Sequence, residues 1–295
     1  MKSFFNRLFG NKGNSAGGDQ SDANIMLEPV QVTPSLMLPR ALANHFDLIK
    51  KSARQTVVIK ATPAEKLDLR QSKFGHYPCL PKNFDYPKDR LGNFLYPLAQ
   101  INLNEVPYLE HFPSSGYLQF YIAADDMYGI SFKENIPSEF KVLFFEEAEL
   151  EDPQEDMGFL DEVLSGEHSP VDKPHSLKFE LKTEYIGMGD VKGGIEAGFD
   201  MDSILSENPK IKRKVEDAIF SNFSPMGHKL GGYAYFTQWD PRYPGGPQSD
   251  YMLLLQMDSD DHIMWGDVGV GNFFIDPIDF ANKDFSRVLY NWDCH

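Results

Sequence analysis

Lys73-Phe74-Gly75-His76-Tyr77 and Lys229-Leu230-Gly231-Gly232-Tyr233 read as two versions of one motif. Each Lys is followed 27 residues later by a Gln inside an apolar run, Leu98-Ala99-Gln100-Ile101-Asn102 and Leu254-Leu255-Gln256-Met257-Asp258. After a three-residue shift, Gly116-Tyr117-Leu118-Gln119-Phe120-Tyr121-Ile122 is answered by Gly269-Val270-Gly271-Asn272-Phe273-Phe274-Ile275. The likeness falls in three blocks of matching chemistry, so it predicts an internally duplicated fold. A solenoid would need three or more short repeats.

Composition narrows the class. The chain has 295 residues, 23 Phe, 13 Tyr and 20 Pro, which favours strands joined by tight turns over helical bundles. The net charge is −16, unevenly placed: residues 146–172 hold 11 of the 44 acidic side chains and no Lys or Arg. A chain without a basic stripe is poorly suited to neutralising phosphates, so no nucleic-acid partner is expected. The acidic block reads as a solvated connector.

Cys79 and Cys294 lie far apart, with no CxxC spacing. That usage suits a reducing compartment and a cytoplasmic protein. No apolar run is long enough to span a bilayer. Phe4, Phe5, Leu8 and Phe9, with Lys2, Arg7 and Lys12, could touch a membrane through residues 1–12. So short a helix is marginal in water, and residues 1–34 read as a disordered or weakly ordered tail.

Pattern then places the elements. A helix is predicted over 39–54, with Pro39 at its first position and Leu42, Phe46 and Ile49 at helical spacing. A second is predicted over 209–220, capped by Asn208, with the stripe Ile211, Val215 and Ile219. A short helical stretch is expected near 159–164. Strands are expected at 56–59, 95–103, 116–122, 141–145, 177–186, 233–238, 251–258, 263–265, 272–275 and 285–292, with Ser259-Asp260-Asp261 as a hairpin turn. The resulting class is α+β, mainly β: roll-like antiparallel sheets from two related halves with a few helices. The halves cover roughly 56–145 and 176–295, joined by the connector 146–175, in one domain over 35–295.

Several strings resemble the YwqG-like family of bacterial proteins. In the second half these are His228-Lys229-Leu230-Gly231-Gly232-Tyr233, Gln238-Trp239-Asp240-Pro241-Arg242, Leu253 to Asp258, Trp265-Gly266-Asp267-Val268-Gly269, Asp284 to Val288 and Trp292-Asp293-Cys294. In the first half they are Ser72 to Gly75, Pro97 to Leu103 and Gly116 to Tyr121. The resemblance covers roughly residues 40–295. It implies a mainly β, roll-like fold built on a pseudo-repeat, in a cytoplasmic bacterial protein, and it implies no activity. His76 departs from the pattern where Gly232 keeps it, which puts in doubt the close backbone approach of the first turn.

Candidate site residues follow from chemistry. Lys73 and Lys229 beside their glycine turns could cradle an anion, or pair with a nearby acid. Gln100 and Gln256 point inward from apolar strands; they would anchor a loop of each half and could meet across a pseudo-twofold axis. Asp258, Asp260, Asp261 and His262, with Asp267 and His228, have the donor types of a cation site, but the run lacks EF-hand spacing and no metal is expected. Gly187 to Gly194 misses both the dinucleotide and the P-loop spacings, so no cofactor is expected. Gln238, Trp239, Asp240, Arg242, Trp265 and Asp267 form the most chemically loaded surface, either as a partner interface or as core closure with Arg242 pairing Asp267. The functional expectation is a binding or interaction protein with a protein partner of basic character, immunity-type in its most concrete form. The alternative is a hydrolase-like enzyme acting on a small anionic or glycosylated substrate, using Asp258 and Asp267.

Overall fold

The computed structural model describes residues 24–34, 36–131, 137–186 and 208–295. The Gly187–Gly194 motif and the segment 1–12 lie outside them. The chain divides into two compact units: Met1–Leu48 with Asp200–Asn222, and Ile49–Phe199 with Phe223–His295.

In the first unit β1 (Pro29–Thr33) pairs antiparallel with β2 (Leu36–Pro39), so a strand begins inside the segment expected to be a tail. The helix predicted over 39–54 is instead two short ones, α1 (Arg40–Ala43) and α2 (Phe46–Lys51). Pro39 closes β2 and caps α1 rather than opening the helix. α4 (Pro209–Phe223) starts on Asn208, whose Oδ1 accepts from Lys210 N at 3.0 Å, and its Ile211, Val215 and Ile219 are buried as expected.

The second unit holds one ten-stranded antiparallel sheet. Its strands are β3 (Arg54–Pro63), β4 (Lys73–Phe74), β5 (Tyr96–Asn102), β6 (Tyr117–Ile122), β7 (Phe140–Phe145), β8 (His175–Glu184), β9 (Lys229–Gly231), β10 (Met252–Asp258), β11 (Val270–Ile275) and β12 (Leu289–Asp293). The order is β12-β11-β10-β9-β3-β8-β4-β5-β6-β7. Exchanging β3 with β8, β4 with β9 and so on outward leaves that order unchanged. β3 and β8 pair along ten residues at the centre, and each also pairs with the short strand of the opposite set. α3 (Asp161–Ser165) lies in the acidic connector, and α5 (Pro277–Ala281) follows β11.

The 27-residue spacing is the cross-strand register: Lys73 sits opposite Gln100 and Lys229 opposite Gln256. Leu98 and Leu254 are the extra residues where each register shifts. Each Gln ties down its own loop. Gln100 Oε1 accepts from Cys79 N at 2.7 Å, and its Nε2 donates to Leu69 O and Gln71 O. Gln256 Oε1 accepts from Tyr235 N at 2.8 Å, and its Nε2 donates to Pro225 O and Gly227 O. The two amides do not meet, because four strands separate β10 from β5.

One sheet face wraps a core that draws on both halves, including Leu118, Phe120, Leu255, Phe273 and Trp265. Phe120 and Phe273 meet with ring centroids 4.9 Å apart. Phe140 on β7 meets Tyr290 on β12 at 5.3 Å, so the sheet curls until its edge strands nearly close. Side chains alternate in strands, and the other face carries two smaller clusters, one around Tyr117 and Tyr121, one around Leu253 and Phe274.

Two expected strands are absent. Residues 233–238 form an irregular segment, because Tyr235 N and Tyr235 O are taken by the side chains of Gln256 and Asn272. Ile263 makes only an isolated bridge to Val171, and β10 pairs with β11 instead of with 263–265.

Candidate functional site

The site grows from a local turn. Asp240 Oδ1 accepts from Arg242 N at 2.9 Å, closing an Asx-type turn around Pro241. The same carboxylate takes the Arg242 fork, Nε to Oδ1 at 2.9 Å and Nη2 to Oδ2 at 2.8 Å. Arg242 Nη1 donates to Tyr251 O, and the guanidinium carbon lies 4.3 Å from the centroid of Phe274. Both side chains are almost wholly buried, at 3% and 2% exposure. On the other side, Thr237 N and Gln238 N donate to the Asp293 carboxylate, and Gln238 Nε2 donates to Cys294 O at 2.7 Å. Trp239 stands between these two anchors and is 69% exposed. Tyr243, just beyond Arg242, is 60% exposed.

Arg242 also lines a cavity of about 470 Å³. Its wall is built from Arg54 and Gln55 at the start of β3, Leu109 to Phe112, Gly231 and Gly232 at the end of β9, and Asp250 to Leu253 leading into β10. Arg54 lies over the Tyr233 ring at 4.4 Å. His111 holds φ +72°, a backbone region costly for a residue with a Cβ and common where a site fixes its own geometry. Sequence reading missed Arg54, Glu110, His111, Tyr243 and Asp250, since no motif marks them. Arg242 pairs with Asp240, two residues away, and not with Asp267 as the core-closure alternative had it.

The glycine turn of the second half holds an anion from the protein itself. Lys229 Nζ donates to Glu184 Oε2 at 2.9 Å, and Tyr233 N donates to Glu184 Oε1. Gly232 has φ +73°, and a Cβ there would collide with the Glu184 carboxylate and come within 2.8 Å of Thr56 Cβ. His76 carries that Cβ in the first half and is not in the left-handed region, whereas Gly75 keeps φ +58°. Gly232→Ala is expected to cost roughly 2–4 kcal/mol, of which the left-handed backbone is about 1–2. Gly245→Ala, with φ +77° and no neighbour within 4 Å, should cost only the backbone part, about 1–2 kcal/mol. Urea midpoints of the two variants check the difference.

Lys73 has no carboxylate in ion-pair contact among the described residues. Its Nζ donates to Asp68 O and Leu69 O, each at 2.8 Å, and burial pulls its pKa down to about 8. An unfolded lysine titrates near 10.4, so between those values the unfolded chain binds more protons and stability rises with pH. Below about pH 8 the buried charge costs roughly 3 kcal/mol. Lys73→Met should abolish that rise. Urea titrations at pH 7.5 and 9.5 would show a gain for the wild type that the variant lacks.

The remaining candidates separate. Asp258 is buried, accepts from Gly227 N at 2.6 Å, and has its carboxyl pKa raised by burial. Asp267 is exposed. His228 Nδ1 accepts from Asp258 N at 3.0 Å, so Nε2 carries the proton that faces Asp260 Oδ2 at 3.0 Å. That hydrogen bond holds the Asp260 carboxyl well below the usual carboxylate range. With both ring nitrogens engaged, His228 has no lone pair left to act as a base. Among the described residues no three His, Cys, Asp or Glu side chains are placed to hold a metal ion. Trp265 is fully buried and belongs to the core, not to a surface.

A family model described as a domain of unknown function, DUF1963, matches residues 72–294. The chain belongs to the DUF1963 family. No curated protein matches it. The DUF1963 span opens just before Lys73 and closes at Cys294, taking in β4 to β12, Trp239 and most of the cavity wall. β3 lies outside the span, yet it supplies Arg54 and Gln55 to the DUF1963 cavity. Among the described residues of this DUF1963 chain, no helix is long and apolar enough to cross a membrane.

Proposed function

We propose that this chain is a YwqG-like cytoplasmic binding protein that engages a protein partner through Trp239, three residues before the Arg242 that lines the cavity, immunity-type in character. One observation carries the reading: Trp239 is 69% exposed although the backbone on both sides of it is pinned by buried bonds. A large, pre-ordered aromatic side chain contributes contact area at little entropic cost, which is how interface anchors work. The unbonded cysteines Cys79 and Cys294 suit a reducing compartment. Copying of one ancestral segment would account for the exchange-invariant strand order and for the matched Gln anchors. Hydrolysis has less support, since Asp258 and Asp267 share no partner and His228 has no free nitrogen.

Affinity capture with wild-type and Trp239→Ala baits tests the role. A protein retained stoichiometrically by the wild type and lost with the variant, at unchanged melting temperature, supports it. Equal retention by both baits places the interface elsewhere.

A further inference from the structure

We infer that the cavity lined by Arg242 receives a cationic side chain, lysine or arginine, of a protein partner; this rests on the binding role above and adds the chemistry of the ligand. Four charged side chains line the cavity besides His111, and their contacts divide them. Arg242 is neutralised by the buried Asp240, and Arg54 is stacked on Tyr233. Glu110 and Asp250 are exposed and make no hydrogen bond or ion pair among the described residues. The wall therefore offers two uncommitted carboxylates, while its cations are already engaged.

Phe112 and Tyr251 also line the cavity, with most of each ring buried. A lining that combines aromatic rings with acids suits a guanidinium or ammonium through cation–π and ionic contacts together. About 470 Å³ admits one long side chain with its flanking backbone. Tyr108 and Ile278, each next in the chain to a lining residue, are 75% and 71% exposed. They give apolar contact for the residues on either side of the inserted one. The net charge of −16 draws such a partner in from a distance.

The test titrates hexa-arginine into the full chain by calorimetry at physiological ionic strength. Three proteins are compared: wild type, Glu110→Gln/Asp250→Asn, and Glu151→Gln/Glu155→Gln in the acidic connector. Both double variants remove the same charge from exposed positions. The inference expects the cavity variant to bind at least about tenfold more weakly and the connector variant to stay within about twofold. Equal losses in the two variants would mean that only the long-range field attracts the peptide, and would overturn the inference. So would undiminished binding by the cavity variant, or no binding by the wild type. Partner capture that needs Trp239 but not Glu110 and Asp250 would leave the binding role standing and remove only the cation.

Discussion

Replacing Trp265 with alanine is expected to cost about 3–5 kcal/mol, the range for deleting a buried aromatic side chain. The indole has no exposed surface and meets Tyr128 at 5.5 Å, Trp292 at 6.3 Å and Tyr290 at 6.4 Å between ring centroids. Two of those rings belong to β12 and one to the segment that reaches across to it, since Tyr290 Oη donates to Tyr128 O and Trp292 Nε1 to Met127 O. Losing Trp265 therefore loosens the place where the sheet nearly closes. The gap cannot collapse easily, because Gly271 already brings its backbone against the ring. A urea titration should show a midpoint far below the wild type, and Trp265→Phe should recover part of it.

Arg242→Ala should be of similar size, about 3–5 kcal/mol, for a different reason. The Asp240 carboxylate would remain buried with no cation, and Tyr251 O would lose its donor. Desolvation makes an unpaired charge costly, whereas removing both charges is far milder. Arg242→Met with Asp240→Asn should thus lie closer to the wild type than Arg242→Ala alone. Arg242→Lys keeps the charge but not the bidentate fork, and should fall between. Because this pair pins one side of Trp239, the single variant should also weaken partner capture even at temperatures where it stays folded.

The fold was largely legible because a register leaves a mark in sequence. A Lys and a Gln that face each other across β4 and β5, and again across β9 and β10, must keep their spacing in both halves. What exchanges at the centre was not legible. β3 pairs with β9, and β8 with β4, through contacts between segments more than 100 residues apart, which no local pattern records. Residues 233–238 alternate like a strand but are drawn out of the ladder by two side-chain amides.

The site was legible in part. Trp239 and Arg242 stood among the candidates, but the acid offered for Arg242 was Asp267, whereas the turn that brings Asp240 to it, two residues away, outcompetes a distant carboxylate. Trp265 was left open between a partner surface and the core, although Gly271 inside β11 signals close backbone approach there. The cavity acids Glu110 and Asp250 left no trace, since they come together only through tertiary folding.

The central claim is that Trp239 anchors a protein partner, and it is tested most directly by the dissociation constant of the captured partner for wild-type and Trp239→Ala protein. The expected result is a loss of at least about 2 kcal/mol, roughly thirtyfold, with the melting temperature unmoved because the side chain makes little contact in the free protein. A dissociation constant unchanged by the substitution, in a variant shown to be folded, would contradict it.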